Sequence, residues 1–139
     1  MAGLRLERLR KTFGGQVAVE GLDLEVGDGE FLVLLGPSGC GKTTTLNMIA
    51  GLETPTSGQI YFDGQDVTDS PPHRRNIAMV FQSALLYPHM TARQNIEASL
   101  HRAGLTADEQ RRRIDEAVAM LEIAPLMGKL PSQMSGGQR

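Results

Sequence analysis

Gly36-Pro37-Ser38-Gly39-Cys40-Gly41-Lys42-Thr43 follows the pattern G-x-x-x-x-G-K-[ST]. Each residue type has a chemical task there. The glycines let the backbone curl, so that successive N–H groups point inward at phosphate oxygens. A helix opening near Lys42 adds its positive N-terminal end. The Lys42 ammonium can sit between a β- and a γ-phosphate, and the Thr43 hydroxyl can ligate Mg²⁺. Cys40 is the one cysteine of the chain. It reads as a small space-filler in the loop, because no base is evident beside it to activate a thiol. At average residue usage the bare pattern arises by chance in roughly one chain of this length in two hundred. These residues imply a nucleoside-triphosphate site; alone they do not choose among kinases, GTPases and transport ATPases.

The flanking elements supply the context the motif needs. Phe31 to Leu35 is an unbroken apolar run, the pattern of a strand buried on both faces of a parallel sheet. Lys42 to Ala50 then reads as a helix with Leu46, Ile49 and Ala50 facing the sheet and Gly51 ending it. Before the loop, Leu4 and Leu6 alternate with charged residues, as do Leu22, Leu24 and Val26, which predicts two half-buried strands. Gly14-Gly15 and Gly27-Asp28-Gly29 are turns. After the loop, Gln59 to Phe62 reads as a strand ending in the hairpin signal Asp63-Gly64. Pro71-Pro72 marks a loop, Ile77 to Phe81 a short apolar strand, and Tyr87-Pro88-His89-Met90 an irregular loop. Ala92 to Arg102 is expected to be helical. Thr106 and Glu109 have capping-box spacing at the head of a further helix, whose apolar face is Ile114, Ala117, Val118 and Leu121. Pro125 and Pro131 bound a loop, and a new helix is expected to start at Ser135-Gly136-Gly137-Gln138-Arg139.

Composition narrows the partners. The chain has 139 residues, enough for one modest domain. Its 40% hydrophobic and 22% charged residues are ordinary for a globular protein. A net charge of -2 gives no basic excess to suggest nucleic acid. Arg111, Arg112 and Arg113 lie among Asp108, Glu109, Asp115 and Glu116, so they read as a solvated helix face. A single cysteine rules out an internal disulfide and fits a reducing compartment. The N-terminus lacks the apolar core of a signal peptide, and no run is long enough to span a bilayer. Any membrane link is expected to come through a partner protein.

Four features in order carry a resemblance. Leu34 to Thr44 is similar to the phosphate loop of ATP-binding-cassette ATPases. Ser57-Gly58 with Asp63-Gly64 resembles their following hairpin. Ile77-Ala78-Met79-Val80-Phe81-Gln82 resembles their Q-loop strand, and Ser135-Gly136-Gly137-Gln138 resembles their signature motif. The likeness runs over nearly the whole chain. Pro71-Pro72-His73-Arg74-Arg75 and Tyr87-Pro88-His89-Met90 bring it nearest to the ATPases of sugar and polyamine importers. The resemblance implies an α/β fold: a P-loop NTPase core with an antiparallel β subdomain and a helical signature subdomain. Residues 1–90 would hold the β subdomain, phosphate loop and Q-loop, and 91–139 the helical subdomain. It further implies that Phe13 stacks on adenine, the alternative being a core ring. Gly36, Pro37, Ser38, Gly39, Cys40, Gly41, Lys42, Thr43 and Thr44 would cradle the phosphates of ATP. Thr43 and Gln82 would meet Mg²⁺, with Lys42 and Gln82 serving hydrolysis.

Ser135, Gly136, Gly137 and Gln138 would cap a nucleotide held by a second ATPase subunit in a head-to-tail dimer. Ala84 to Pro88 would form a groove for a helix of a membrane permease, the alternative being a packed core segment. A solute-binding protein would be an indirect partner, and the site of action the cytoplasmic face of the cell membrane.

The sequence departs from the family pattern at Ala84, where an aromatic is common, and at Met134, where leucine is usual. No apolar strand ending in Asp-Glu follows the signature, and His73, His89 and His101 all precede it. The family's catalytic glutamate and switch histidine therefore have no counterpart in these residues. The expectation is an N-terminal part of an importer ATPase whose full-length form hydrolyses ATP. Two other readings stay open: a soluble ATPase of the same superfamily, and a chain that binds nucleotide or a partner without hydrolysis.

Overall fold

The computed structural model describes residues 3–83, 85–100 and 104–139. The expectations placed on Ala84, His101 and Arg102 lie outside them. The chain forms two compact units, Met1–Met79 and Val80–Arg139.

In the first unit, β1 (Leu4–Phe13) and β2 (Gln16–Val26) form a long hairpin turned by Gly14-Gly15. α1 (Lys42–Ala50) follows, then β3 (Ser57–Phe62) and the short β4 (Gln65–Asp66). The sheet order is β2-β1-β3-β4, antiparallel throughout. Alternation along the strands, reset by a register shift between Leu6 and Leu9 at Arg8 (φ 46°), sends Leu6, Leu9, Val19 and Ile60 to one face, where Met48 of α1 and Val67 complete a buried cluster. Burying Met48 contributes about 2 kcal/mol.

Three expectations need correction. Leu46 does not face the sheet; it is 47% exposed, and Thr45 and Met48 point inward instead. Gly41, which begins the helix, lies against Ala18 of β2, and the stripe that meets the sheet from this docking point is Thr45, Met48 and Ala50. Phe31 to Leu35 and Ile77 to Phe81 are not strands. Neither run pairs with a strand among the described residues, and Phe31, Leu35 and Val80 are almost fully exposed. An apolar run reports a demand for burial, but a ladder also needs a neighbour, and the antiparallel meander supplies none in register with either run.

In the second unit, α2 (Ala92–Leu100) and α3 (Ala107–Met120) enclose a small core of Ile114, Met127, Pro131 and Met134. Met134 therefore fills the buried place that leucine would fill. The first N–H groups of α2 find carbonyls outside the helix, Ala92 donating to Lys129 and Arg93 to Met127. On α3, Leu121 is exposed rather than part of the apolar face. Arg111, Arg112 and Arg113 are exposed, as a solvated face requires. Among the described residues no helix is long and apolar enough to cross a membrane.

The capping box forms: the Thr106 N–H donates to Glu109 Oε2 at 2.8 Å, and the Glu109 N–H donates back to Thr106 Oγ1. The Thr106 backbone N–H first, and its hydroxyl second, hold the Glu109 carboxyl below its usual range. A depressed carboxyl stabilises the fold above the unfolded value, about 4.3, and that contribution fades as pH falls through the folded value. The first turn of α3 is therefore expected to fray in acid. The amide chemical shift of Thr106, whose N–H donates to the Glu109 carboxylate, followed between about pH 6 and pH 3 should move in the native protein and move much less in Glu109→Gln. An identical acid response in both would discard the capping assignment.

Candidate phosphate site and signature segment

The phosphate loop is built between an extended segment and α1. Gly39 and Gly41 have φ of 82° and 94°, in the left-handed region, and they turn the chain into the helix. The Gly41 carbonyl accepts the Thr45 N–H at 2.8 Å and so starts α1. Lys42 folds back into the curl. Its Nζ donates to the carbonyl oxygens of Gly36 at 2.8 Å and Pro37 at 2.7 Å, and lies 3.4 Å from Cys40 Sγ. No carboxylate takes part in these bonds; the partners of the ammonium are two carbonyl dipoles and a sulfur. An incoming phosphate would exchange them for a full negative charge, a stronger partner.

The same unit carries Phe13 at the tip of the β1–β2 hairpin. It is 47% exposed, which excludes the core-ring alternative. One ring face is covered by Lys11 Nζ, 4.8 Å from the centroid. Lys11 is itself tied to Glu53 and to the Thr54 carbonyl, so the ring stands on a fixed support. Phe13 pairs with Gln16, two residues along β2 from the Ala18 carbonyl against which Gly41 packs. That is about 7 Å at the usual rise of a strand. A cleft of about 500 Å³ adjoins the loop, lined by Val17, Val19, Leu35, Cys40, Lys42 and Thr45 among others. Ser38 and Thr43 are exposed.

In the second unit, Gln82 is exposed, and so is every residue from Ser135 to Arg139. The expected new helix is present as a single tight turn, Gly136–Gln138. Its start is held by the Ser135 N–H donating to Gln138 Oε1 at 3.0 Å. Nothing lies within 4 Å of where a Cβ would stand on Gly136 or Gly137, so their backbone is open to a ligand. Thr43 and Gln82 offer neutral oxygen donors. Among the described residues no group of three His, Cys, Asp or Glu side chains could hold a metal ion. A neutral oxygen such as either of these suits Mg²⁺ only when phosphate oxygens supply the charge.

An apolar groove of about 450 Å³ lies in the second unit, lined by Leu85, Leu86, Tyr87, Asn95, Ile96 and Met134 among others. Leu85 is 69% and Tyr87 56% exposed, so the segment is not packed core. Asn95 shapes the rim. Its Oδ1 accepts the Tyr87 N–H at 2.7 Å, and its Nδ2 donates to the carbonyls of Tyr87, Met90 and Thr91.

Two residues escaped the sequence reading. Asn95 gave no signal beyond its place in the first turns of a helix. Arg75 was visible only as part of a Pro-Pro-His-Arg-Arg string, yet it is buried at 5% exposure. Burial pulls its guanidinium below the usual arginine range, with Asp69 opposing.

Comparison with known proteins agrees with this geometry. A family model described as ABC transporter matches residues 19–139. The sulfoquinovosyl glycerol transport ATP-binding protein of Agrobacterium fabrum is 50% identical over 139 residues, all of this chain and 39% of that protein. The xylose/arabinose import ATP-binding protein of Haloferax volcanii is 52% identical over 140 residues, again all of this chain and 37% of that protein. The chain thus spans about two fifths of the length of these curated relatives. A solved dimeric bacterial ABC transporter cassette superposes with a TM-score of 0.85 at 34% identity, over 97% of this chain and 64% of that one. A cassette dimer in a post-hydrolysis state, bound to ADP and Pi, gives 0.83 at 33% identity, with the same coverage.

Proposed function

The chain belongs to the ABC transporter family, and from that premise we propose that it carries the nucleotide-binding and signature segments of the ATP-binding motor subunit of a solute importer. The observation that carries this reading is the Lys42 ammonium, lodged in a glycine curl at a helix N-terminus and held there by two carbonyls and the Cys40 sulfur, with no carboxylate among these partners. Such a loop is an anion site awaiting a phosphate chain. The relatives' names, all transport or import ATP-binding proteins, support the importer assignment and a sugar-like or glycerol-derived cargo.

The residues divide the work. The amides from Ser38 to Thr44 bind the phosphates, and Lys42 stabilises charge as the γ-phosphate leaves. Phe13 offers its free ring face to adenine. The family resemblance gives Thr43 and Gln82 as the residues that would hold Mg²⁺, which would neutralise the phosphate charge when bound. Within Ser135 to Gln138, whose end residues close the turn on each other, Gly136 and Gly137 present open backbone to the nucleotide of a second subunit, and the solved cassette dimers support that partnership. The groove beside Tyr87 would take a helix of a membrane permease, since exposed apolar patches mark contacts. This would hold the subunit at the cytoplasmic face of the membrane, with a solute-binding protein reached through the permease.

The test is calorimetric titration of the full-length polypeptide with Mg-ATP. Heat of binding that disappears when ATP is replaced by a nucleoside is the expected result. No uptake of Mg-ATP would end the motor reading.

A further inference from the structure

Arg75 lies between two pieces of backbone that are far apart in sequence. Its Nη1 donates to the carbonyl oxygens of Met48 at 2.7 Å and Ile49 at 2.9 Å, in the last turn of α1. Its Nη2 donates to Thr68 at 2.9 Å and its Nε to Ser70 at 2.8 Å. Four of the five guanidinium N–H bonds are thus used, all on carbonyls. The site is shaped for this group. Pro71 and Pro72 set a tight turn in which Arg74 and Arg75 donate to their carbonyls, and this aims the side chain at α1. At Gly51 a Cβ would stand 2.6 Å from Arg75 Nε, so the helix stop leaves room for the guanidinium.

A buried cation is an expensive way to fill space; a hydrophobe of similar volume commonly does as well or better for stability. What four directed bonds add is orientation. The C-terminal end of α1 is the negative end of its dipole, which suits the guanidinium. The phosphate loop is at the other end, about 9 Å away along the helix from Lys42 to Met48.

We infer that Arg75 is a positioning residue for the nucleotide site: it clamps the far end of α1 to the 68–75 loop, and so fixes the helix that carries the phosphate loop at its other end. The inference rests on the nucleotide-binding reading above. Lysine keeps the charge and the buried stem but gathers its donors at one point, and cannot span four carbonyls.

The experiment uses the full-length subunit, with steady-state Mg-ATP turnover measured well below the melting temperature of each variant. Arg75→Lys is expected to raise KM for Mg-ATP about tenfold while remaining folded, since small misplacements at a site cost large factors. Gly51→Ala, which crowds the guanidinium from the helix side with Arg75 intact, is expected to shift KM in the same direction. It gives an independent reading should the lysine variant fold poorly. KM and kcat within about twofold of wild type in both folded variants would overturn the positioning role. A wild-type protein that neither binds nor turns over Mg-ATP would overturn the nucleotide reading itself, a distinguishable result.

Discussion

Lys42→Ala in the full-length subunit is expected to lower Mg-ATP turnover at least about a hundredfold while leaving the fold nearly as stable, because a preorganised charge at the transferring phosphate contributes several kcal/mol to the barrier. In the structure the Lys42 ammonium makes two carbonyl hydrogen bonds and one contact to Cys40, all within its own loop. Exposed bonds of this kind contribute about 1 kcal/mol or less each to stability. Their loss should therefore shift the melting temperature by only a few degrees, at about 2–4 °C per kcal/mol for a domain of full length. The two readouts separate the roles. Turnover of the folded variant within about tenfold of wild type would remove Lys42 from the chemistry. A large loss of melting temperature would instead make it a structural residue.

Gly41→Ala should damage both stability and nucleotide binding. Gly41 has φ of 94°, a conformation that costs an alanine on the order of 1–3 kcal/mol. Its added Cβ would also overlap the Ala18 carbonyl oxygen and crowd Val19 Cγ2 at 3.1 Å. Both belong to β2, paired along its length with β1, so the strand cannot yield and the loop must lift away. Gly39→Ala provides the control. Gly39 has φ of 82° but nothing within 4 Å of a Cβ, so it carries strain without collision. The expected order of melting temperatures is wild type, then Gly39→Ala, then Gly41→Ala, and the last should bind Mg-ATP at least about tenfold more weakly, since the whole curl is displaced. Equal destabilisation by the two alanines would show that the packing of the loop on β2 has no energetic weight.

Legibility in the sequence followed the reach of the interactions involved. The glycine turn into α1, the hairpin turns and the Thr106–Glu109 box are legible because each is decided within a few residues. A glycine at a left-handed turn, a cap three residues from its partner and a lysine two residues from Cys40 leave their spacing in the chain itself. Phe13 was named from its place in a family pattern; only its exposure at the hairpin tip excluded the core alternative.

The errors share a cause. Helical spacing places Leu46 in the core, but which stripe of α1 meets the sheet depends on how the helix docks, with Gly41 against Ala18, and spacing does not record that. Phe31 to Leu35 and Ile77 to Phe81 have the apolar character of buried strands. That character expresses a need for cover, and which neighbour meets it is a property of the assembled sheet. Arg75 is the sharpest instance, because its acceptors on α1 lie 26 and 27 residues away. They are also backbone carbonyls, which every residue possesses, so no side chain in the sequence advertises the pairing.

Taken by itself, then, the order of residues determined the chemistry this protein can offer: an anion-binding curl, a cation within it, and a second glycine turn at Ser135 to Gln138. The tertiary structure alone decided which side of α1 meets the sheet, which apolar runs find no partner among the described residues, and that one buried guanidinium ties the helix end to a distant loop. The division is physical. Hydrogen bonds and caps between near neighbours are encoded in composition and spacing, whereas burial and long-range carbonyl contacts exist only once the chain has folded back upon itself.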